Sequence, residues 1–362
     1  MFTIDPDITR ARTLPARFYL DDTVFAAVRE RVFARSWQWV GDLAAVQPPG
    51  SMAPRMLAPG ALDEPVLLVR DDVGTLRCLS NVCTHRGHPI VAAPCQRDHL
   101  RCPYHSRRFD LAGRVTFMPG FEGAQDFPGP RDHLPQLAFG SAFGHGFASL
   151  APALPLDEML APVLSRLAGL PMQIEDFAHD SSRDRDYTFD AHWALYVENY
   201  LEGLHIPFLH PGLAEVIDWR TYGYELFAQG NLQLALARDD EPAFEGLRAA
   251  SPEHGQRVAA YYWWLFPNLM LNLYPWGLSL NLVQPLAPDR TRVSFRAYVA
   301  RPELLGRGAG GALDQVEQED EAAVEAVQRG LRSRLYESGR YSPQHERGVH
   351  QFHRLLAGAL AA

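Results

Sequence analysis

Residues 83–110 read CTHRGHPIVAAPCQRDHLRCPYHSRRFD. Cys83-Thr84-His85 is followed, after 16 residues, by Cys102-Pro103-Tyr104-His105. Each pair spans two or three positions, so each tight loop offers one thiolate and one imidazole. Two such loops facing each other supply four metal ligands. A Cys2His2 zinc set usually pairs Cys with Cys and His with His. One of each per loop suits instead a two-iron cluster, with one iron held by thiolates and the other by imidazoles. Gly87, Pro89 and Pro103 give the chain the turns that ligand loops need. Around them, from Trp37 to about Leu150, the sequence is rich in Gly, Pro and short apolar runs such as VLLVR (66–70). That is the composition of an all-β domain with many turns.

Outside this region the pattern changes. Residues 17–36 predict one short amphipathic helix, with Val24, Phe25, Val28, Val32 and Phe33 on one side. Residues 151–171 are Pro- and Ala-rich and predict a linker running into a helix. Residues 185–300 mix helix and strand, and 313–337 carry one long helical pattern. The fold class is therefore α+β: a small β domain, then a larger domain of sheet and helix. Residues 258–288 contain no charge, but their prolines and asparagines suit a bilayer helix badly. Leu269, Leu271 and Leu273, and then Leu278, Leu280 and Leu282, recur with a period of two, which means strands.

Composition limits the function. The chain has 362 residues, enough for two domains, with 47% hydrophobic and 21% charged residues, as in a globular protein. A net charge of −9 argues against a nucleic-acid surface. All 34 basic residues are Arg, which excludes a lysine Schiff base and a phosphate-loop lysine. Four Cys do not make a disulfide scaffold, and Cys78 and Cys95 read as packing residues. The N-terminus has no continuous apolar core of a secretory signal, so a cytoplasmic protein is expected, with neither membrane nor nucleic-acid partners.

A second constellation lies at 192–211, HWALYVENYLEGLHIPFLHP, which reads as a helix with Trp193, Val197, Tyr200, Leu201 and Leu204 as its apolar stripe. Glu198, Glu202 and His205 would share one face, and Glu202 with His205 makes the Glu-x-x-His pair that helices use to aim metal ligands into a core. His210 would stand about 140° round an unbroken helix from His205, and Pro207 between them is expected to distort it so that both imidazoles converge. In 314–336 the apolar stripe is Val316, Ala323, Val324, Val327 and Leu331, and Asp320 falls on it. A buried carboxylate needs a partner, and a metal would serve. Glu317, Glu319 and Glu321 read as solvated. Two His and one carboxylate with open positions make the facial triad of non-haem Fe(II) oxygenases.

The whole pattern CTHRGH…CPYHSRRFD resembles the Rieske cluster motif, and VENYLEGLHIPFLHP (197–211) with EDEAAVEAVQRGL (319–331) resembles the iron-binding segments of Rieske non-haem iron oxygenase large (alpha) subunits. The resemblance covers nearly the whole chain. It implies that Cys83 and Cys102 bind one iron of a [2Fe-2S] cluster and His85 and His105 the other. His205, His210 and Asp320 would bind a mononuclear Fe(II). It further implies a Rieske domain at 37–150, an N-terminal segment 1–36 packing on the rest, and a helix-grip catalytic domain at 172–362 with an antiparallel sheet and a long helix. The expected assembly is a ring-shaped homotrimer. In it Glu202 would link His105 of one chain to His205 of the next, and Asn199 is a further candidate catalytic residue. His88 and Tyr104 stand where respiratory Rieske proteins carry a disulfide, so the lower-potential type is expected.

Three departures bear on the substrate. The linking acid is Glu202 where Asp is commonest, Leu204 replaces a usual Tyr, and the helix opens His192-Trp193-Ala194. Glu at the linking position is similar to the branch acting on choline- and carnitine-type quaternary ammonium compounds. The implied activity is that of a terminal oxygenase component, using O2 and electrons from NADH or NADPH. A flavin or iron–sulfur reductase, with or without a ferredoxin, would supply them, because no dinucleotide fingerprint is present here. The expected substrate is small, polar and cationic. Asn268, Met270, Asn272 and Tyr274 are candidates for a pocket-facing strand, and Tyr261, Tyr262, Trp263, Trp264 and Trp276 could supply ring faces for a cation. The alternatives are an aromatic ring-hydroxylating dioxygenase, a Rieske electron carrier, which would leave His205, His210 and Asp320 unexplained, and a zinc module.

Overall fold

The computed structural model describes residues 2–217, 222–238 and 240–361. The chain forms two compact units: Ala34–Ala153, and Met1–Phe33 together with Leu154–Ala362.

The Ala34–Ala153 unit holds three antiparallel sheets. One has four strands in the order Leu76–Ser80, Glu64–Arg70, Ser51–Leu57, Cys95–Gln96. A second joins Gln38–Asp42, His145–Ser149 and Ala138–Ala142, and a small third joins Leu100–Arg101, Arg108–Phe109 and Val115–Phe117. The run VLLVR is continuous because its strand is buried on both faces. Leu67 and Val69 join one core with Met52, Cys83, Cys102 and Phe109. Val66 and Leu68 join the opposite core with Val40, Cys78 and Ala148. Burial pushes the Cys78 thiol up to about 12, and Cys95 packs half-buried on the first core. The unit's two ends lie side by side: the Ala151 amide donates to the Ala34 carbonyl at 3.1 Å and Ala153 to Arg35 at 2.9 Å.

The other unit is built on an eight-stranded antiparallel sheet. Gly223–Phe227, Gly230–Leu236, Val258–Leu265, Leu269–Tyr274, Gly277–Ala287 and Arg290–Val299 pair in chain order as a meander. Ala178–His179 and Arg185–Phe189 pair along the far edge of the last strand. The alternating leucines meet across strands, Leu269 with Leu282, Leu271 with Leu280 and Leu273 with Leu278. Helices Trp193–Tyr200 and Leu313–Gly330 pack on each other, and the first also lies on the last two meander strands and on helix Arg347–Ala361. No helix among the described residues is long and apolar enough to cross a membrane.

Three helix expectations need correction. Residues 17–36 form two helices, Arg17–Leu20 and Asp22–Arg31, because Asp21 leaves the helical region (φ −99°, ψ 114°) and accepts the Thr23 amide at 2.8 Å as an N-cap. Val24 is only half-buried, while Phe18 and Tyr19 turn inward. The long helix ends at Gly330, a poor helix former, and not at 337; Leu335 is 98% exposed. Its buried face is also rotated from the expected one. Glu317, Asp320, Val324, Gln328 and Leu331 are buried, whereas Val316 is half-buried and Val327 exposed. The 192–211 segment breaks before Pro207, at Leu201, as described next.

Candidate metal centres

The two cluster loops fold alike. In the first, the Cys83 amide donates to His88 carbonyl and the Gly87 amide to Cys83 carbonyl, both at 2.9 Å. In the second, Cys102 donates to Arg107 at 2.9 Å and Ser106 to Cys102 at 3.0 Å. The residue four past each Cys is left-handed, Gly87 at φ 72° and Ser106 at φ 60°. That turn carries the chain round the thiol. Cys83 and Cys102 are each 2% exposed. Burial raises the Cys83 thiol, and the neighbouring Cys102 adds to the rise. The His85 and His105 rings lie 4.7 Å apart, centroid to centroid. The Nδ1 atoms of both are buried without a hydrogen-bond partner. Burial lowers His85, and the His105 charge adds to this, so the ring favours its neutral, ligating form. Two unpartnered imidazole nitrogens beside two buried thiols fit a mixed-ligand [2Fe-2S] cluster. Arg107, in the second loop, is 2% exposed and donates to Thr84 Oγ1 at 2.9 Å. It also stands over the Phe121 and Phe127 rings, bracing one loop against the other.

The iron-site segment is not one helix. It ends at Tyr200; Leu201 adopts φ −83°, ψ 10°. Short helices Ile206–Leu209 and Pro211–Val216 follow, each with Pro in its first turn, where the missing N–H costs nothing. Glu202 causes the break: its Oε2 accepts the amides of Leu204 and His205, competing with the helical pattern. Its Oε1 accepts His205 Nδ1 at 2.6 Å. Glu198 does not share that site, since it accepts the Tyr19 hydroxyl at 2.7 Å and lies 3.1 Å from His353 Nε2. Phe18 and Phe33 pack on His192 and Trp193 beside it. These contacts tie the N-terminal segment to this unit.

His205, His210 and Asp320 offer ligand atoms that all lie within 4.8 Å of one another. His210 Nε2 is 2.9 Å and His205 Nε2 3.7 Å from Asp320 Oδ1. On the outer side of His210, Nδ1 donates to Glu319 Oε2 at 2.6 Å. Consecutive carboxylates of one helix thus take the two nitrogens of one ring. Burial lowers His210, but the bonds and charges of Asp320 and Glu319 outweigh it and raise the ring overall; Glu319 is correspondingly lowered by His210. Each imidazole is oriented by a carboxylate behind it, leaving Nε2 toward the centre, which is the arrangement of metal-bound histidines. The donor set fits a facial-triad Fe(II).

A cavity of about 110 Å³ adjoins these ligands. Asn199, Asn272 and Tyr274 line it, with Asn281 from the neighbouring strand. Asn268 and Met270 do not: Asn268 Nδ2 donates to the Val283 carbonyl and closes the hairpin instead. Of the aromatic run, Tyr262 reaches the cavity, while Tyr261 stacks on Trp263 at 5.4 Å on the other face and Trp264 packs on Phe352. Tyr196, Tyr200 and Tyr222 also line it, and no Arg side chain does among the described residues. Two acids escaped the sequence reading. Glu319 grips His210, and Glu317, expected to be solvated, is 4% exposed in the cavity wall. Glu317 lies three residues before Asp320, so the burial of Asp320 itself was the one signal for it.

Residues 174–362 match the family description "Ring hydroxylating alpha subunit (catalytic domain)" and residues 36–128 match "Rieske [2Fe-2S] domain". The oxygenase subunit of carnitine monooxygenase from Escherichia coli K12 is 28% identical, over 96% of this chain and 93% of that protein. Chloroplastic choline monooxygenase of Arabidopsis thaliana is 29% identical, over 97% and 84%. A solved quaternary ammonium Rieske monooxygenase is 25% identical with a TM-score of 0.79, covering 98% of this chain and 96% of that one. The fold also matches naphthalene 1,2-dioxygenase of Rhodococcus sp., 19% identical with a TM-score of 0.71 over 96% of this chain and 93% of that one. With its Rieske domain followed by a mononuclear iron domain, the chain belongs to the ring-hydroxylating alpha-subunit family of Rieske non-haem iron oxygenases.

Proposed function

We propose that this oxygenase oxidises a small methylated ammonium compound, by hydroxylation or N-dealkylation, as the terminal component of a multicomponent system. One observation carries the substrate class: the cavity beside the triad is walled by tyrosines and carboxyl groups, with no Arg among its described residues. A desolvated cation over Tyr or Trp gains about 2 kcal/mol. The names of the carnitine and choline monooxygenases similar to this chain agree with that class.

In this reading Cys83, Cys102, His85 and His105 hold the cluster, in a domain at 37–150. His205, His210 and Asp320 hold the iron, in a domain at 172–362. When bound, the cluster supplies single electrons and the Fe(II) supplies the place where O2 is reduced. Glu202 and Glu319 keep the Nδ1 protons of the two imidazoles outward and the Nε2 lone pairs inward. Asn199, Tyr200 and Asn272 offer polar atoms that orient the substrate in the cavity, where the Tyr200 hydroxyl already donates to Asn272 Oδ1 at 2.6 Å. A reductase, with or without a ferredoxin, brings electrons from NADH or NADPH, which favours the cytoplasm. A homotrimer would let Glu202 join His105 of one chain to His205 of the next; in the single chain Glu202 already holds the His205 end.

The test is coupled oxygen uptake and product formation with a competent reductase, comparing a methylammonium panel with aromatic acids and hydrocarbons. Turnover of the methylammonium panel is expected. Turnover of the aromatic panel alone would overturn the substrate class and leave the family assignment standing.

A further inference from the structure

Glu319 and Asp320 meet His210, and Glu202 meets His205. Glu317 lines the same cavity but, among the described residues, meets no imidazole or guanidinium. It is 4% exposed. One oxygen, Oε2, accepts the Tyr196 hydroxyl at 2.6 Å. The other, Oε1, is buried with no partner among the described residues. Burial raises this carboxyl well above the usual range, and the charges felt nearby, Asp320 and Glu321, are also acidic. It is not one of the three groups whose ligand atoms converge for the metal.

A half-satisfied buried carboxyl is expensive, and an amide or apolar residue would pack there at lower cost. A ligand in the cavity can bring the partner that the described residues do not supply. The surrounding walls say which kind. The Tyr222 and Tyr262 rings stack at 6.3 Å and Tyr262 meets Tyr274 edge-on at 5.8 Å, so aromatic surface lines the same cavity as Glu317. A bulky cation with an apolar shell fits both: its charge favours release of the carboxyl proton to solvent and faces the resulting carboxylate, and its methyl groups face the rings.

We propose that Glu317 is the counter-charge for the methylated ammonium head of the substrate and that Tyr196 is a positioning residue holding its carboxylate. This assignment rests on the substrate class proposed above and names the residue that selects it.

The experiment uses the iron- and cluster-loaded protein under anaerobic conditions, so that binding is read without turnover. Equilibrium binding is measured for choline and for its neutral carbon isostere, 3,3-dimethylbutan-1-ol. The wild type should prefer choline. Glu317→Gln keeps the volume and the Tyr196 bond but not the charge. It should weaken choline by about tenfold or more and leave the isostere unchanged or tighter, at wild-type iron content. Glu317→Asp keeps a carboxylate and should retain part of the preference. Wild-type choline affinity in Glu317→Gln would overturn the role of Glu317 while the substrate class stands. A loss in Glu317→Gln that falls equally on choline and on the isostere would assign the effect to shape and also overturn it. A wild type that binds the isostere as well as choline would overturn both the role and the substrate class.

Discussion

The two metal centres are built in opposite ways. The cluster ligands fall within 83–105, on two loops that repeat one hydrogen-bonding scheme, with a left-handed residue four past each Cys. The triad instead joins His205 and His210, on a broken segment, to Asp320 on a helix more than a hundred residues later. A centre assembled from adjacent loops depends mostly on local turn chemistry. A centre assembled from distant elements depends on the packing that brings them together, and on carboxylates such as Glu202 and Glu319 that aim the rings.

That contrast can be broken by substitution. The largest effect is expected at the cluster. Cys102→Ser or His105→Ala should abolish its visible spectrum and all turnover while the triad still takes up iron; a wild-type spectrum in either would refute the ligand assignment. Next, Asp320→Ala should drop metal content from about three irons per chain to about two, with the cluster spectrum kept. An unchanged count would move the third ligand elsewhere. Behind the ligands, Glu319→Gln should weaken iron about 10–100-fold, read by competition with a chelator. Glu202→Gln should keep both metals yet lose most turnover, and near-normal activity there would contradict its linking role. The smallest effects test the loop repeat. No atom lies within 4 Å of a Cβ placed on Gly87, so Gly87→Ser meets only the left-handed backbone and should cost about 1 kcal/mol. Ser106→Gly should gain a similar amount, with the cluster spectrum unchanged in both. A spectral change in either would show that these residues do more than turn the chain.

Legibility in the sequence followed the same contrast. The mixed Cys/His spacing is local and names its chemistry, and the period of two in 269–282 is visible because cross-strand leucines must alternate. The long helix was legible as a helix but not in its rotation. Hydrophobic patterning assigns Val316 and Val327 to the core, whereas the buried face carries Glu317, Asp320 and Gln328, polar residues held by Tyr196, by the imidazoles and by the His192 amide. Apolar periodicity cannot show a face whose partners are polar. The break at Leu201 was misplaced for a related reason. Pro207 is the loud signal, but the carboxylate of Glu202 turning back on two amides ends the helix first.

The meander has a further consequence, for the order of folding. From Gly223 to Val299 each long strand pairs with its chain neighbour, and all connections but that from Leu236 to Val258 are turns of two or three residues, which close at little entropic cost. The triad cannot exist until the chain on both sides of that sheet has returned, because His210 and Asp320 flank it in sequence. Iron bound there would span that long separation and stabilise the finished state by mass action.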